Sequence, residues 1–251
     1  AKFCDASCAM PPSDSVPSLA LIGAMQEELS AVLALMPDAS CQTVAGRQFW
    51  QGHLHGHAVV AVLSGIGKVA AAITATVLIE KFQVHRILFT GVAGGLASHV
   101  KVGDVVVGKE LLQHDMDASP LFPPYEVPLL GRARFQTDDV MTQCLIESAA
   151  LALPHAQVHT GLIISGDQFV SSASESQRLQ SQIPDALAVE MEGAALAQVC
   201  HAYGIPMAVV RTLSDRADDD AHTDFVQFVK AVASPFSAAI VSAFLKRLPT
   251  A

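Results

Sequence analysis

Val189-Glu190-Met191-Glu192-Gly193-Ala194-Ala195 and, downstream, Val209-Val210-Arg211-Thr212-Leu213-Ser214-Asp215 decide the fold. In the first, an apolar run reads as a strand, then places two carboxylates around a methionine at the mouth of a helix. In the second, an apolar run ends in Arg-x-x-Ser-Asp. Carboxylates at the ends of buried strands are costly to keep unless they serve chemistry. Two such strand ends can converge on one pocket at the strand termini of an α/β sheet.

Working outward, the same alternation recurs. Leu19 to Ala24 reads as a short buried strand, and Glu27 to Leu35 has helical spacing that stops before Pro37. From Cys41 to Leu63, two alternating runs flank a hairpin turn at His55-Gly56. Ser64-Gly65-Ile66-Gly67-Lys68 breaks the pattern and opens an alanine-rich helix to about Lys81. Arg86 to Thr90 reads as a strand ended by Gly91-Val92-Ala93-Gly94-Gly95, and Val102 to Leu112 as another. Gln113 to Gly131 carries Pro120, Pro123, Pro124 and Pro128 and reads as a long loop, a length that marks a functional or interfacial segment. Then follow a helix over Asp138–Leu151, a strand over Val158–Ser165 and a helix over Ser174–Gln182. A helix over Glu192–Tyr203 is closed by Gly204 and Pro206, and Met207–Leu213 is the last central strand. Thr223 to Leu248 reads as mostly helical, bent at Pro235. The fold class is α/β: a three-layer α/β/α sandwich around a central mixed twisted sheet, with the hairpin adding antiparallel strands. An irregular arm, 1–18, precedes a single domain over 19–251.

Composition narrows the function. The 251 residues are 51% hydrophobic and only 16% charged, enough to bury a full core. A net charge of −9 with no basic stripe disfavours nucleic acid as a partner. The longest apolar stretch, Val69 to Ile79, is too short for a membrane span. Cys41, Cys144 and Cys200 read as buried free thiols. Cys4 and Cys8 lie in a Pro/Ser-rich leader that starts at Ala1. That pattern fits a mature chain exported to an oxidising compartment such as the periplasm, where the two could pair. The alternative is a cytoplasmic chain after methionine removal or with a tag remnant.

Several motifs have plain readings. Gly65-Ile66-Gly67-Lys68-Val69 fails the Walker pattern at Val62 and Val69, and Gly91 to Gly95 is no dinucleotide fingerprint. Each reads as a tight strand-to-helix turn whose small residues let a ligand approach the backbone. His53, His55 and His57 read as a solvated hairpin tip, and His114-Asp115-Met116-Asp117 as an exposed or interfacial loop, so no metal is expected. Asp215 stands apart from the solvated Asp218 to Asp220, because it leaves an apolar strand. Phe169, after Gly166-Asp167, is either core or a surface for stacking on a planar ring.

Six motifs occur in one order: Gly23-Ala24-Met25-Gln26-Glu27-Glu28, Ser64 to Lys68, Gly91 to Gly95, Ser165-Gly166-Asp167, Val189 to Glu192, and Ser214-Asp215. From about Leu19 to Leu248 the chain resembles the bacterial 5′-methylthioadenosine/S-adenosylhomocysteine nucleosidases of the purine nucleoside phosphorylase superfamily. The resemblance implies a homodimer without metal or organic cofactor that hydrolyses an N-glycosidic bond, releasing adenine and a thioribose. By match to the family motif, Asp215 protonates the purine, with its pKa raised by burial, and Ser214 positions it. Glu28 activates water with Arg211 nearby. Glu192 binds the ribose hydroxyls, and Met191 lies against the ribose. Phe169 stacks on adenine and the Val170 backbone reads its edge. Met25, Ile66 and Phe225 form a sleeve for the 5′-alkylthio group. Val92, Ala93, Gly94 and Glu190 complete the substrate-binding set. The 113–131 loop completes the site of the neighbouring subunit.

There are departures: Val92 stands where the family commonly has serine, Gln26 replaces a frequent glutamate, and the Pro-rich loop differs. Three alternatives remain. A nucleoside phosphorylase needs cationic donors for phosphate, but the first half offers only Arg47 and Arg86 as arginines. A hydrolase of another 5′-modified purine nucleoside, such as futalosine, would use the same residues. A non-catalytic binding protein would be expected to lack Glu28 or Asp215.

Overall fold

The computed structural model describes residues 19–218, 221, 228 and 234–249. The 1–18 arm with Cys4 and Cys8, Phe225, and the start of the helix expected from Thr223 lie outside the described residues. The elements are β1 (Leu19–Gly23), α1 (Gln26–Leu33), β2 (Ser40–Val44), β3 (Arg47–Leu54), β4 (His57–Leu63), α2 (Lys68–Glu80), β5 (Ile87–Gly95), β6 (Val105–Gln113), β7 (Arg134–Gln136), α3 (Asp139–Ala152), β8 (Val158–Ser165), α4 (Ala173–Gln182), β9 (Ala186–Glu190), α5 (Gly193–Tyr203), β10 (Met207–Asp215) and α6 (Ser234–Arg247). No helix among the described residues is long and apolar enough to cross a membrane.

The ten strands form one mixed sheet in the order β10-β6-β8-β9-β5-β1-β4-β3-β2, with β7 beside β6. β10 also pairs with β5. The strands β5, β10, β6, β8 and β9 thereby close a ring, and β1, β4, β3 and β2 extend from it as a wing. Pairing is parallel for β1 with β4 and β5, β5 with β10, and β8 with β6 and β9.

Central strands are apolar on both faces because helices cover both. Leu19 and Leu21 join one apolar cluster with Leu29 of α1, Leu145 of α3 and Phe244 of α6. Ala20 and Ile22 join the opposite cluster with Leu78 of α2 and Leu196 of α5. α4 covers a third cluster through Leu179. Local signals set the helix ends: the Asp138 side chain accepts from Met141 N at 2.8 Å, and Gly204 closes α5 at φ 67°.

The structure corrects the sequence reading in five places. The first run of the expected hairpin is two strands, split by a turn at Ala45-Gly46 (φ 48° and 74°) that matches His55-Gly56 (φ 49° and 84°). Alanine carries no left-handed turn signal, so that turn was silent. Gly91 to Gly95 is not a turn, since β5 runs through it fully buried. The glycines serve close approach: a Cβ at Gly91 would stand 2.8 Å from Ala24 Cβ, and one at Gly94 2.8 Å from Asp215 Oδ1. β7 was unread because it has only three residues. His57 is buried rather than solvated, His114 in the loop read as exposed or interfacial is buried, and of the described cysteines Cys41 and Cys144 are half-buried and Cys200 is fully inside.

Candidate active site

The carboxyl ends of β1, β5, β9 and β10, and the turn after β8, surround a cavity of ≈ 390 Å³. Its wall contains Met25, Ile66, Val92, Ala93, Gly94, Phe169, Val170, Glu190, Met191, Glu192, Ser214 and Asp215, all singled out from sequence. Ala24, Gln168 and Val189 are additions. Each adjoins a predicted residue in the chain, so adjacency was the available signal. Glu28 and Arg211 do not line the cavity; they lie in the protein behind it, 1% and 0% exposed.

At one side, β10 slips by one residue against β5, so that Leu213 faces Ala93 but Asp215 faces Gly94. A bulge of this kind re-aims side chains. It brings Asp215 to the cavity wall with Ser214 Oγ donating to Oδ2 at 2.8 Å and Ala217 N donating to Oδ1 at 2.8 Å.

Glu190 and Glu192 of the wall belong to a group of buried carboxylates around one guanidinium. Arg211 Nη2 donates to Glu190 Oε2 at 2.8 Å, Nη1 donates to Val210 O, and the guanidinium stacks 3.9 Å above the Phe89 ring. Glu190 also accepts from the N–H groups of Glu192 and Gly193 and from Ser165 Oγ, so it caps α5 and anchors Arg211. Glu192 Oε1 accepts from Gly67 N at 2.8 Å, which ties the start of α2 to the start of α5. Burial, reinforced by the Glu190 charge, pushes its carboxyl up to about 7. Glu28 Oε2 accepts from Met25 N at 3.0 Å and Oε1 from Ser237 Oγ at 2.7 Å. Burial raises the Glu28 carboxyl above the ordinary range, opposed by the Ser237 hydrogen bond and by the Arg211 charge.

A polar stitch holds the loops of the site. Lys68 Nζ donates to Asp115 Oδ1 at 2.6 Å and to Gln113 Oε1 at 3.1 Å. The Lys68 backbone N–H donates to Asp167 Oδ1, and Asp167 N donates to Asp115 Oδ2. Three segments are thus joined: the turn before α2, the end of β6, and the loop that carries Phe169. In the sequence Lys68 belongs to a tight turn and a family motif; its partners lie up to 99 residues away, beyond any local pattern.

The cavity mouth is apolar and open. Of its lining residues, Ile66 is 73% and Phe169 42% exposed. Leu121 and Leu129 of the Pro-rich loop, outside the cavity wall, are 84% and 91% exposed. His53, His55 and His57 turn to three different partners, Asp38, Ser242 and the Leu245 carbonyl. Among the described residues no cluster of three or more His, Cys, Asp or Glu side chains could hold a metal ion.

Comparison with known proteins places this architecture. The family model of the phosphorylase superfamily matches residues 18–246. A 5′-methylthioadenosine/S-adenosylhomocysteine nucleosidase from Anoxybacillus flavithermus is 39% identical over 217 residues, 86% of this chain and 93% of that protein. The crystal structure of the Neisseria meningitidis nucleosidase in complex with methylthio-immucillin-A superposes with a TM-score of 0.87 at 37% identity, covering 92% of this chain and all of that one. A futalosine hydrolase from Helicobacter pylori reaches 0.85 at 34% identity, covering 93% and 99%. The fold and site therefore define a member of the phosphorylase superfamily. Within it, the chain belongs to the 5′-methylthioadenosine/S-adenosylhomocysteine nucleosidases.

Proposed function

We propose that this protein hydrolyses the N-glycosidic bond of 5′-methylthioadenosine and S-adenosylhomocysteine, releasing adenine and a 5-thio-substituted ribose. The observation that carries the reading is the arrangement at the cavity: buried Asp215, Glu190 and Glu192 in its wall, with Glu28 and Arg211 buried behind it. Cleavage requires a proton on the departing purine, stabilisation of a cationic sugar and an activated water. Asp215, oriented by Ser214, gives its proton to the purine ring. Four buried carboxylates, Glu28, Glu190, Glu192 and Asp215, stand against the single buried guanidinium of Arg211 among the described residues. With Asp215 protonated as the acid, Glu28, Glu190 and Glu192 in their ionised forms still outnumber the one guanidinium, which favours an oxocarbenium ion and opposes phosphate as the nucleophile.

Glu28 takes a proton from the attacking water. Glu192 binds the ribose hydroxyls, and Met191 packs on the sugar. Phe169 stacks on adenine while the Val170 backbone reads its edge. Met25 and Ile66, with Phe225, form the sleeve for the 5′ group. The protein acts as a homodimer in which the 113–131 loop closes the neighbour's sleeve, and the exposure of Leu121 and Leu129 supports this. Release of adenine from methylthioadenosine, with and without phosphate and with the sugar identified by mass, tests the reading. Phosphate-independent formation of free methylthioribose is expected; a sugar phosphate would move the chain to phosphorolysis. The futalosine hydrolase likeness favours including futalosine in the substrate panel.

A further inference from the structure

Glu28 has a partner that no strand-end motif contains. Ser237 lies on α6, 209 residues away in the chain, and is 1% exposed. A hydroxyl has a single proton to give. Ser237 gives its proton to Glu28 Oε1 at 2.7 Å, and its oxygen accepts from Thr90 Oγ1 at 3.2 Å. Thr90 is itself 3% exposed, on β5 two residues before Val92 of the cavity wall. Strand alternation puts Thr90 and Val92 on one face, where valine brings no hydroxyl. A one-way chain therefore runs from Thr90 through Ser237 to the carboxylate. The other carboxylate oxygen, Oε2, is held by Met25 N at 3.0 Å. With both oxygens engaged, the plane of the carboxylate is fixed.

We infer that Ser237, backed by Thr90, is a positioning residue that orients the Glu28 carboxylate toward the attacking water. The inference rests on the proposed hydrolysis, in which Glu28 is the base. It makes α6 part of the reaction machinery through a contact outside the cavity wall. The hydrogen bond also favours the charged form of Glu28 against its burial. The charged group set beside Glu28 is Arg211 of β10, itself paired with Glu190 of β9. The remaining contacts, from Ser237 and from the Met25 and Ala24 backbone, are uncharged.

The test compares wild type, S237A, S237T and T90V in adenine release across pH, with thermal unfolding to verify folding. A base that must be ionised gives a rate that rises with pH through its pKa. In S237A, kcat is expected to fall roughly 10- to 50-fold with KM within about threefold, the loss of one charge-assisted hydrogen bond acting in the transition state. The acid limb of the kcat profile moves to higher pH by about half to one unit. T90V moves both in the same direction by less, and S237T restores most of the rate. An S237A protein with wild-type kcat and an unmoved acid limb would overturn the inference. A loss as large in S237T as in S237A would do so too, because the effect would then be packing. Titration of the Glu28 carboxyl by carbon-13 NMR in substrate-free protein reads the contact without turnover. A wild-type protein that releases no adenine would overturn the proposed reaction and the role of the water. The carboxyl titration would then still decide the contact: an upward move in S237A upholds it, and no move overturns it.

Discussion

The two ends of the cavity are built on opposite plans. At the carboxylate end, Glu28, Glu190, Glu192 and Arg211 are between 0% and 7% exposed, and the oxygens of Glu190 are taken by four donors. At the mouth, Ile66 and Phe169 present apolar surface to solvent. The difference teaches which end one chain finishes alone. Buried charge must be satisfied within the fold, because unpartnered it costs several kcal/mol. Apolar surface can wait for a substrate or a second subunit to cover it.

The comparison breaks most sharply at the carboxylate end. Asp215→Asn is expected to lower kcat at least about 10³-fold while adenine binds within about threefold of wild type, measured by turnover and calorimetry. Near-normal turnover would remove Asp215 as the acid. Glu28→Gln should cost roughly 10²- to 10³-fold in kcat with KM little changed. An effect confined to KM would take water activation away from Glu28.

At the open end the effects should fall on KM and assembly. Phe169→Ala is expected to raise KM about 10-fold with kcat within about threefold, since stacking is uniform binding of the ring. Replacing Leu121 and Leu129 together by Ser should weaken self-association in sedimentation and raise KM about threefold to 10-fold. An unchanged sedimentation profile would say that the Pro-rich loop covers nothing.

The smallest effect concerns stability. The Glu192 carboxyl rises from an ordinary 4.5 to about 7 in the folded protein. Between those values the folded state binds more protons than the unfolded one, so stability falls as pH rises through that window. Glu192→Gln keeps an oxygen for Gly67 N but removes the charge. It should therefore stabilise the fold at pH 8 by on the order of 1–2 kcal/mol, read as a higher unfolding temperature, with the gain shrinking toward pH 5, while turnover drops. An equal gain at both pH values would mean that Glu192 is not strained by its charge.

Much of the wall was legible because it sits at strand ends, where an apolar run stops at a polar residue. Met191, Glu192, Ser214 and Asp215 are of that kind, and all line the cavity. What failed did so for physical reasons. Gly91 to Gly95 reads as a turn because glycine breaks strands locally, yet here it lets Ala24 and Asp215 come within contact of β5. Glu190 reads as a wall carboxylate and does line the cavity, but no strand-end pattern announces that its oxygens are taken up by Arg211, Ser165 and the start of α5.

The sequence by itself determined the order of the central strands and helices, the convergence of two carboxylate-bearing strand ends, and the family. These rest on periodicity and on short motifs, which are properties of neighbours in the chain. Only the tertiary structure decided that β10 returns to β5 and closes the ring, that Lys68 stitches three loops, and that Ser237 reaches Glu28. Those contacts join residues 45 to 209 positions apart, and such pairs are chosen by packing and by the need to satisfy buried polar groups.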